Sequence, residues 1–485
     1  MAISPAFITD CIALLGADQV IDDDARLRLY ECDALSAYQQ RPELVLLPRT
    51  TAEVQAVLRL CQTAKVAVVA RGAGTGLAGG ALPVSGGVVL GLSKMQRILA
   101  IDPVNRTATL EPGVRNLAIS EAARPYGLYY APDPSSQIAC SIGGNVAENA
   151  GGVHCLKYGL TIHNILQVEL VTMDGELLIL GSQGLDSPGY DLLALAIGSE
   201  GLLGIVVSIT VRLLPLPPCT QVLLAAFASI EQAGAAVAAI IADGLIPAGL
   251  ELMDNAAIRA TEAFVQAGYP TDASAILLCE LDGLPEQVAA DQQRATRLLQ
   301  DHHATEIRCA TEIAERQRFW AGRKAAFPAV GRISSDYYCM DGTIPRKHLA
   351  QVLQRINQLA EAQGLSVVNV FHAGDGNLHP LILYDGAQSD SFRRAERLGG
   401  QILELCVAVG GTITGEHGVG VEKLDQMCVQ FQAAELQQFA RLKQAFDPDG
   451  LLNPGKAIPT LHRCAELGGM HVHQGQLPHP ELERF

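Results

Sequence analysis

Apolar and polar positions alternate along the chain in two ways, as short β-rich runs and as longer stretches with helical spacing. The first part of the chain shows both patterns, with a hairpin signal at Asp174-Gly175 between two β-rich runs. The pattern predicts strands at 43–47, 66–70, 88–92, 98–101, 107–110, 168–172 and 176–180, and helices at 51–65 (N-cap Thr51) and 116–123. This alternation indicates a fold that mixes helices and strands.

The run LLPLPP at 213–218 interrupts this regular pattern and predicts a domain boundary near residue 218. Beyond it the alternation resumes until about Phe446. It predicts helices at 230–242, 286–301, 349–362 and 393–409, and strands at 276–281, 367–371 and 381–384. From Asn453 onward the chain reads as an extension. The predicted division is therefore an N-terminal segment 1–42, domains at 43–218 and 219–456, and a C-terminal extension 457–485.

Length and composition narrow the class of protein. With 485 residues the chain is long enough for two to four domains. Hydrophobic residues make up 49% and charged residues 18%, which excludes a disordered chain. The formal net charge of −16 is the opposite of the bias that nucleic-acid binders show. An anionic ligand would therefore need local Arg, Lys or backbone N–H groups.

Several other classes are disfavoured by local sequence. The twelve cysteines include no Cys-x-x-Cys pair, so neither a zinc ribbon nor an iron–sulfur ligand run is present. The N-terminus lacks a basic region, and Asp10 interrupts its apolar stretch, so we expect no signal peptide. The most apolar internal segment, 233–250, contains Asp243 and Pro247, and we expect it to be a helix followed by a strand rather than a membrane span.

Two glycine-rich segments, 71–80 and 141–152, are candidate anion sites, because glycine allows close approach and consecutive free N–H groups form a concave site. Residues Gly74–Gly79 match G-x-G-x-x-G. A Rossmann dinucleotide site needs a helix that starts inside this motif, and Pro83 and Gly86 leave no room for one. A structural turn without ligand is the alternative for either segment alone, but two such segments so close in sequence favour a ligand.

Four segments resemble the FAD-binding domain of the vanillyl-alcohol oxidase / p-cresol methylhydroxylase superfamily: PRTTAEVQAVL, RGAGTGLAGG, YAPDPSSQIACSIGGNVAENAGG and GSEGLLGIV. Three later segments resemble the cap domain of its FAD-linked 2-hydroxyacid dehydrogenase family: FHAGDGNLHP, GEHGVG and LLNPGK. The resemblance runs from about residue 20 to the end and is strongest to the D-type FAD-binding subunits of bacterial glycolate oxidase (glycolate dehydrogenase). It implies an α+β protein, in which a PCMH-type FAD-binding domain of two α+β subdomains precedes an α+β FAD-linked oxidase C-terminal cap domain.

The resemblance also implies which residues hold FAD. The pyrophosphate would be wrapped by Arg71, Gly72, Gly74, Thr75 and Gly76. The second loop, near the isoalloxazine, would be lined by Pro132, Asp133, Ser141, Gly143, Gly144, Asn145, Asn149 and Gly152. The flavin cradle would be completed by Glu200, Gly204 and Ile205. Some members of the superfamily bond FAD covalently through a His in the first loop, and because 71–87 contains no His, we predict non-covalent FAD.

A histidine-rich segment, VFHAGDGNLH at 370–379, suggests a metal site. If 375–376 form a two-residue hairpin turn, His372 and His379 face each other with Cβ atoms about 4.5–5.5 Å apart, a spacing that suits one divalent metal. Glu416 could add a carboxylate and leave positions open for substrate. A turn at 376–377 would break this register, and the alternative is a satisfied histidine pair without metal. The related dehydrogenases carry a metal at these positions; zinc, iron and manganese are all compatible.

Two further residues are catalytic candidates. Arg323 matches the family position that binds the substrate carboxylate, which a guanidinium fork suits; the alternative is a surface charge on an Arg-rich helix. His417 is the candidate base for the hydroxyl proton, since imidazole titrates near neutral pH; the alternative is a structural His. Some relatives that act on diacids carry a Lys where this chain has Cys339, which favours a smaller monocarboxylate.

The resemblance implies FAD-dependent oxidation of a small 2-hydroxy acid, glycolate to glyoxylate and also D-lactate to pyruvate, by hydride transfer to flavin N5. Because the chain lacks an iron–sulfur ligand run, electrons would leave through partners. The implied partners are a second FAD-type subunit and an iron–sulfur subunit that feeds the quinone pool. The expected location is cytoplasmic, with indirect association to the inner membrane. The tail 457–485 is a candidate docking segment, or an ordinary terminus.

Two alternatives stay open at this point. The first is a stand-alone D-lactate or D-2-hydroxyglutarate dehydrogenase. The second is a non-catalytic FAD-carrying scaffold subunit, with the active site on a partner. A scaffold does not need the set His372, His379, Glu416 and His417, which argues against the second alternative.

Overall fold

The computed structural model describes residues 3–184, 188–310, 312–388 and 390–460. The candidate docking tail lies outside the described residues after position 460. The chain forms two compact units. The first takes Met1–Gly151, Leu160–Pro215 and the chain from Glu416 onward. The second takes Gly152–Gly159 and Leu216–Gly415.

The strands and helices are numbered in chain order. The strands are β1 (Val20–Ile21), β2 (Leu44–Leu46), β3 (Val68–Arg71), β4 (Val88–Gly91), β5 (Ile98–Asp102), β6 (Thr107–Leu110), β7 (Leu128–Tyr129), β8 (Ile165–Val171), β9 (Leu177–Gly181), β10 (Ile205–Arg212), β11 (Leu214–Pro215), β12 (Cys219–Phe227), β13 (Gly249–Asp254), β14 (Ala275–Gly283), β15 (Glu306–Ala310), β16 (Asp336–Cys339), β17 (Ser366–His372) and β18 (Asn377–Tyr384). The α-helices are α1 (Pro5–Leu15), α2 (Asp24–Leu27), α3 (Thr51–Ala64), α4 (Asn116–Ala123), α5 (Ile142–Glu148), α6 (Cys155–Tyr158), α7 (Leu192–Ala196), α8 (Ile230–Ala242), α9 (Asn255–Val265), α10 (Pro285–Asp301), α11 (Ile313–Lys324), α12 (Ala326–Val330), α13 (Leu349–Ala362), α14 (Ser391–Ala408), α15 (Leu424–Gln430) and α16 (Ala433–Phe446).

The first unit contains a four-stranded sheet in the order β1-β2-β4-β3, in which β2, β4 and β3 are parallel. Helix α3 packs on it because Val54, Val57, Leu58 and Cys61 recur at helical spacing and are all fully buried in one core with the strands. The helix is capped by Thr50, whose Oγ1 accepts from the Glu53 N–H at 3.2 Å. The predicted N-cap Thr51 is therefore wrong by one residue, since Thr51 already belongs to the first turn.

A second, antiparallel sheet of the first unit has the order β5-β6-β10-β8-β9, and β7 pairs with β11. Its core is formed by inward residues of these strands together with α4 and α5. Between α3 and α4, residues 65–115 form strands, turns and loops with no α-helix. The G-x-G-x-x-G match therefore lacks the helix of a Rossmann site, as predicted.

The second unit is built on a seven-stranded antiparallel sheet in the order β15-β12-β14-β13-β17-β18-β16. Its central strands are buried along nearly their whole length, which is typical of a sheet covered on both faces. Residues of α9, α11 and α12 share a core with it, among them Ile258, Phe319 and Val330. The interior strand β13 carries the acidic residue Glu251 among apolar neighbours and ends at a second acidic residue, Asp254.

The two units differ from the predicted linear division. The first ends its middle segment at Pro215, close to the predicted boundary, but it also takes the chain from Glu416 onward, which the prediction gave to the second domain. Local bonds explain this assignment. The Val68 N–H of β3 donates to the Leu451 carbonyl at 2.8 Å, and Lys443 Nζ donates to the Leu202 carbonyl at 2.8 Å. The C-terminal segment thus completes the sheet and core of the first unit.

In the part of the chain that the structure describes, no helix is long and apolar enough to cross a membrane.

Candidate active site

The first glycine segment follows directly from β3. The Arg71 guanidinium is largely buried, donates to the Cys32 carbonyl at 2.7 Å and lies over the Tyr30 ring. Gly74 adopts a φ of +71°, and a Cβ at this position would lie 2.2 Å from Arg71 Nη2. Only glycine fits here without strain, so the backbone passes close over the guanidinium. Within the same loop, the Gly76 carbonyl accepts from the Ala34 N–H at 3.0 Å.

The second glycine segment is a short helix rather than a loop. Ser141 caps α5 by accepting from the Gly144 N–H at 3.4 Å. A Cβ on Gly72 would lie 2.2 Å from Ser141 Oγ, so the two glycine segments touch. A Cβ on Gly143 would lie 2.6 Å from the Cβ of Pro112, which explains that glycine as well. Adjoining glycine-rich stretches can form a concave anion site, which suits a dinucleotide such as FAD.

Other predicted FAD residues of the first unit support the backbone. Asn145 Oδ1 accepts from Asn116 Nδ2 at 3.0 Å, and the same amide donates to the Pro132 carbonyl at 3.1 Å, which fixes the chain leading to Asp133. Asn149 ends α5 in the left-handed conformation, and its Oδ1 accepts from the Ile162 N–H at 2.9 Å. These hydrogen bonds hold the backbone of the second glycine segment in place.

Three predicted residues have positions that the sequence did not indicate. Gly204 lies against Leu170, where a Cβ would come within 2.7 Å of its Cγ, and Ile205 is buried in the core. Both therefore lie in tightly packed surroundings, and their role in a flavin cradle remains a prediction. Gly152 belongs to the second unit, so the part of the second glycine segment in the first unit ends at Gly151.

Glu200 holds the loop that follows a candidate metal ligand, Glu416, and the candidate base, His417. Its buried carboxylate accepts from the N–H groups of Val419 and Gly420, each at 2.7 Å. Glu416 and His417 lie just before this loop and in the same unit, with 3.7 Å between a Glu416 oxygen and His417 Nε2. Glu200 thus has a backbone-holding role in the structure, beyond the flavin-cradle role that the resemblance implies.

Buried charges surround the same loop. Lys423 Nζ donates to the Gly418 carbonyl at 2.8 Å, and Lys456 Nζ donates to the Gly80 carbonyl at 3.0 Å. Glu148 fills the space beside both glycines, since a Cβ on Gly80 or Gly418 would lie 2.7 Å or 2.1 Å from its carboxylate oxygens. This network joins the end of the first glycine segment to the loop after Glu416. Sequence reasoning missed Glu148, Lys423 and Lys456; their only signal was a charged residue inside a glycine-rich or apolar run.

Burial is the main cause of the pKa shifts of Glu148, Glu200 and Lys456. It raises the pKa of Glu148 well above its ordinary value, and the negative charges of Glu200 and Asp33 raise it further. Burial also raises the pKa of Glu200, although the two backbone N–H groups oppose the shift. It lowers the pKa of Lys456 to about 7, against the attraction of three nearby carboxylates. We therefore expect Glu148 to keep its proton to higher pH than an ordinary glutamate does.

The Glu148→Gln variant tests this protonation state. A raised folded-state pKa means that the folded protein keeps the proton while the unfolded chain releases it, so wild-type stability falls as pH rises from the ordinary glutamate pKa to the raised one. The slope is at most about 1.4 kcal/mol per pH unit. Because Gln stays neutral, the free energy of unfolding of the variant should rise relative to wild type over this window. Urea unfolding at pH 5 and pH 8 measures it; a difference that does not change with pH would contradict the expectation.

In the second unit, the two histidines lie on one face of the β17–β18 hairpin. The predicted register is wrong: His372 pairs with Asn377, and His379 pairs with Val370. The connection spans 373–376, four residues instead of two, so the pairing shifts by two positions. A shift of two keeps both side chains on the same face. The imidazoles are diagonal neighbours with ring centroids 5.0 Å apart and nearly perpendicular planes.

A buried carboxylate connects this pair to Arg323. Glu251 of β13 is the direct cross-strand partner of His372, and 2.8 Å separates its Oε1 from His372 Nδ1. Its Oε2 lies 2.7 Å from Arg323 Nε and 2.6 Å from Nη2. Although burial raises the pKa of Glu251, the charges of His372 and Arg323 and their hydrogen bonds hold it below its ordinary value. The result is a buried chain of guanidinium, carboxylate and imidazole.

Arg323 is only 2% exposed, so the alternative of a surface helix charge is wrong. Sequence reasoning missed Glu251, although an acidic residue inside the apolar run GLELM was a usable signal. Cys339, at the end of β16, is buried in the same sheet, so the position where diacid-specific relatives carry Lys lies inside the second unit.

The candidate metal ligands are divided between the units. His372 and His379 belong to the second, and Glu416 is the first residue of the last segment of the first. The residue before it, Gly415, is fixed in the second unit, where its N–H donates to Asp341 Oδ2 at 3.0 Å. The structure therefore brings together the two imidazoles, and the third ligand remains a prediction.

The comparisons with known proteins identify the family. Residues 42–181 match the family described as FAD binding domain, and residues 216–457 match FAD linked oxidases, C-terminal domain. The chain is 63% identical over 467 residues to glycolate oxidase subunit GlcD of Escherichia coli (strain K12), an alignment that covers 96% of this chain and 94% of that protein. The chain belongs to the FAD-linked oxidase family. The predicted family resemblance and the FAD-binding domain are thus confirmed.

Further relatives of this FAD-linked oxidase agree. It is 33% identical over 453 residues to a D-lactate dehydrogenase of Anaerostipes hadrus, covering 91% of this chain and 94% of that protein. A solved structure of p-cresol methylhydroxylase is similar with a TM-score of 0.79 at 18% identity, covering 94% of this chain and 97% of that one. At that identity the likeness shows the fold alone, and it confirms the predicted α+β class with a PCMH-type FAD-binding domain.

Proposed function

We propose that this FAD-linked oxidase oxidises glycolate to glyoxylate. The observation that carries the proposal is the buried Arg323–Glu251–His372–His379 arrangement, in a chain with an FAD-binding domain. In it a cation on α11 is joined through Glu251 to two imidazoles on the seven-stranded sheet. A substrate with a carboxylate beside a hydroxyl needs such a pair of recognition elements. The high identity to a protein named glycolate oxidase subunit supports glycolate as that substrate.

FAD, when bound, supplies the acceptor for the hydride that leaves the substrate carbon. The glycine segments are compatible with it, because the lack of side chains at Gly72 and Gly74 lets the backbone pass close to Ser141 and Arg71. The first loop contains no His, which supports non-covalent binding. The remaining steps belong to residues of the chain itself.

Arg323 would bind the substrate carboxylate. Its guanidinium has five N–H donors, and Glu251 engages those on Nε and Nη2. A planar fork fixed by a buried partner can orient a small anion with little loss of side-chain entropy. Cys339 at the position of a Lys in diacid-specific relatives leaves no second cation there, which supports a monocarboxylate.

The hydroxyl end would be held by His372, His379 and Glu416 through a divalent metal, zinc, iron or manganese. Two imidazoles and a carboxylate suit these ions, and a bound ion lowers the pKa of a coordinated hydroxyl. The fit is supported by the two buried imidazoles on one face and by Glu251, which engages Nδ1 of His372. His417, beside Glu416 in the first unit, would accept the hydroxyl proton.

The electrons would leave through other subunits. The chain has no cysteine run for an iron–sulfur cluster, and the relative in Escherichia coli is named a subunit. We propose a complex with a second FAD-type subunit and an iron–sulfur subunit that delivers electrons to the quinone pool. The chain would then be cytoplasmic and reach the inner membrane through these partners.

A second candidate is a stand-alone D-lactate dehydrogenase, which the 33% identity to an enzyme of that name supports. D-2-hydroxyglutarate is a weaker candidate substrate, given Cys339. A non-catalytic FAD-carrying subunit is the alternative of another class, and the buried histidine pair argues against it.

Anaerobic addition of 2-hydroxy acids to the purified yellow protein tests the proposal. We expect glycolate to bleach the visible flavin absorbance, D-lactate to do so more slowly, and D-2-hydroxyglutarate to have little effect. The reason is that one buried guanidinium matches one substrate carboxylate. Stopped-flow absorbance gives the reduction rate for each acid.

Each other outcome points to a different function. Faster bleaching by D-lactate would favour the D-lactate dehydrogenase. Bleaching by none of the acids alone, with turnover only after partner subunits are added, would favour the scaffold alternative. A colourless protein that FAD does not reconstitute would contradict the flavoenzyme proposal itself.

A further inference from the structure

We infer that Glu251 is a positioning residue, which aligns the metal-binding and carboxylate-binding ends of the site with a single carboxylate. One of its oxygens fixes the tautomer of His372, and the other fixes the guanidinium of Arg323. This inference rests on the proposed function and adds to it a residue that contacts neither substrate nor flavin in that proposal.

The backbone places Glu251 with little freedom. It lies on β13, between β14 and β17, and is registered directly opposite His372. Its carboxylate is 1% exposed, so water does not compete for its oxygens. A direct cross-strand pair in the interior of a sheet keeps its Cβ atoms within about 5.5 Å, which sets the reach of both side chains.

The contact with His372 decides which ring nitrogen can bind a metal. A carboxylate paired with a guanidinium accepts hydrogen bonds and donates none, so the 2.8 Å contact places a proton on His372 Nδ1. In the neutral form of the ring, which is the form that binds a metal, the lone pair is then on Nε2. A carboxylate behind a metal-binding imidazole fixes ring orientation and raises ligand basicity, and its loss costs about 10- to 100-fold in metal affinity.

The contact with Arg323 gives Glu251 a second role. Nε and Nη2 both lie within 2.7 Å of Oε2, and the side chain of Arg323 is itself buried. The guanidinium plane is therefore set by the same carboxylate that sets the imidazole. A change at Glu251 should therefore both weaken zinc binding and raise the KM for glycolate. A general packing defect would not change these two quantities selectively.

The test compares Glu251→Gln with Asp254→Asn on the full-length, FAD-loaded protein. Asp254 is a matched control: it is a buried carboxylate on the same strand, but it accepts from the Asn369 and Ala257 N–H groups and caps α9. Zinc is removed with a chelator, and the affinity for added Zn²⁺ is measured by competition with a chromophoric chelator. We expect E251Q to bind Zn²⁺ about 10- to 100-fold more weakly, and D254N to stay within about twofold of wild type.

A double variant guards against misfolding, because E251Q leaves the Arg323 charge buried without its partner. In E251Q/R323M that charge is removed, and the same loss of Zn²⁺ affinity is expected. The visible flavin spectrum, which should be unchanged in all variants, reports FAD content independently of activity. In E251Q the KM for glycolate should rise about tenfold or more.

The outcomes separate the inference from the proposed function. If wild type and E251Q bind Zn²⁺ equally while H372A does not, the role of Glu251 is overturned and the metal site stands. If D254N loses as much affinity as E251Q, the effect is structural and the inference is again overturned. If wild type binds no Zn²⁺ but glycolate still bleaches the flavin, the metal part of the proposed function falls, and the inference falls with it.

Discussion

His372→Ala is expected to lower the rate of flavin reduction by glycolate at least about 1000-fold, without loss of FAD. The metal proposed at this imidazole would supply several kcal/mol of stabilisation to the developing alkoxide, and each 1.4 kcal/mol corresponds to a factor of ten. FAD should stay bound, because His372 lies in the second unit and the glycine segments lie in the first. Stopped-flow absorbance measures the reduction rate, and the flavin-to-protein absorbance ratio measures FAD content.

His348→Ala is the matched control for this prediction. His348 is a partly exposed histidine of the second unit, just before α13, and its ring contacts Gln351 rather than the histidine pair. Its removal should change the reduction rate less than twofold. Near wild-type reduction in H372A would remove the metal from the proposed mechanism.

Gly72→Val should yield a nearly colourless protein, with FAD affinity lowered about 100-fold, equal to about 2.7 kcal/mol. Even a Cβ at this position would lie 2.2 Å from Ser141 Oγ, and the valine methyl groups would force the two glycine segments apart. FAD needs both segments at once if each forms part of its site. Titration of the unloaded protein with FAD, followed by flavin fluorescence, measures the affinity.

A glycine-to-alanine change elsewhere in the same unit serves as the comparison. Gly184 has an ordinary φ, and its added Cβ would only reach van der Waals distance of Ser182 Oγ at 3.5 Å. G184A should bind FAD like wild type. If G72V also bound FAD like wild type, the contact between the two segments would have no part in cofactor binding.

Local patterning predicted about half of the strands and helices, because such elements bury one repeating set of positions. Helices α4, α8 and α13 have the predicted bounds, and the glycine segments were recognised because glycine in such density has few other uses. The turn before His379 shows the limit of this reasoning. The sequence could not show that the connection has four residues, yet the histidines still share a face, since the register changed by an even number.

The contacts that complete the candidate site were beyond prediction from sequence. Glu251 and His372 are 121 positions apart, and their pairing depends on the order of strands in a seven-stranded sheet. For Arg323, carboxylate binding and a surface charge on the Arg-rich α11 both stayed open, and its burial depends on a partner on another element. Long-range pairing of this kind is a property of topology, which local propensity does not encode.

The late position of Lys456 has a consequence for synthesis on the ribosome. Its Nζ donates to the Gly80 carbonyl and to the Asn453 side chain, and the Leu451 carbonyl accepts from the Val68 N–H. The sheet behind the first glycine segment is therefore completed by residues that are translated long after the segment itself. The nascent FAD-binding unit therefore cannot complete this sheet until the intervening 200 residues of Leu216–Gly415 have been translated and have begun to fold. Uptake of the cofactor would then come after residue 456 has been translated, and a chaperone that shields the incomplete FAD-binding unit would raise the yield of yellow protein.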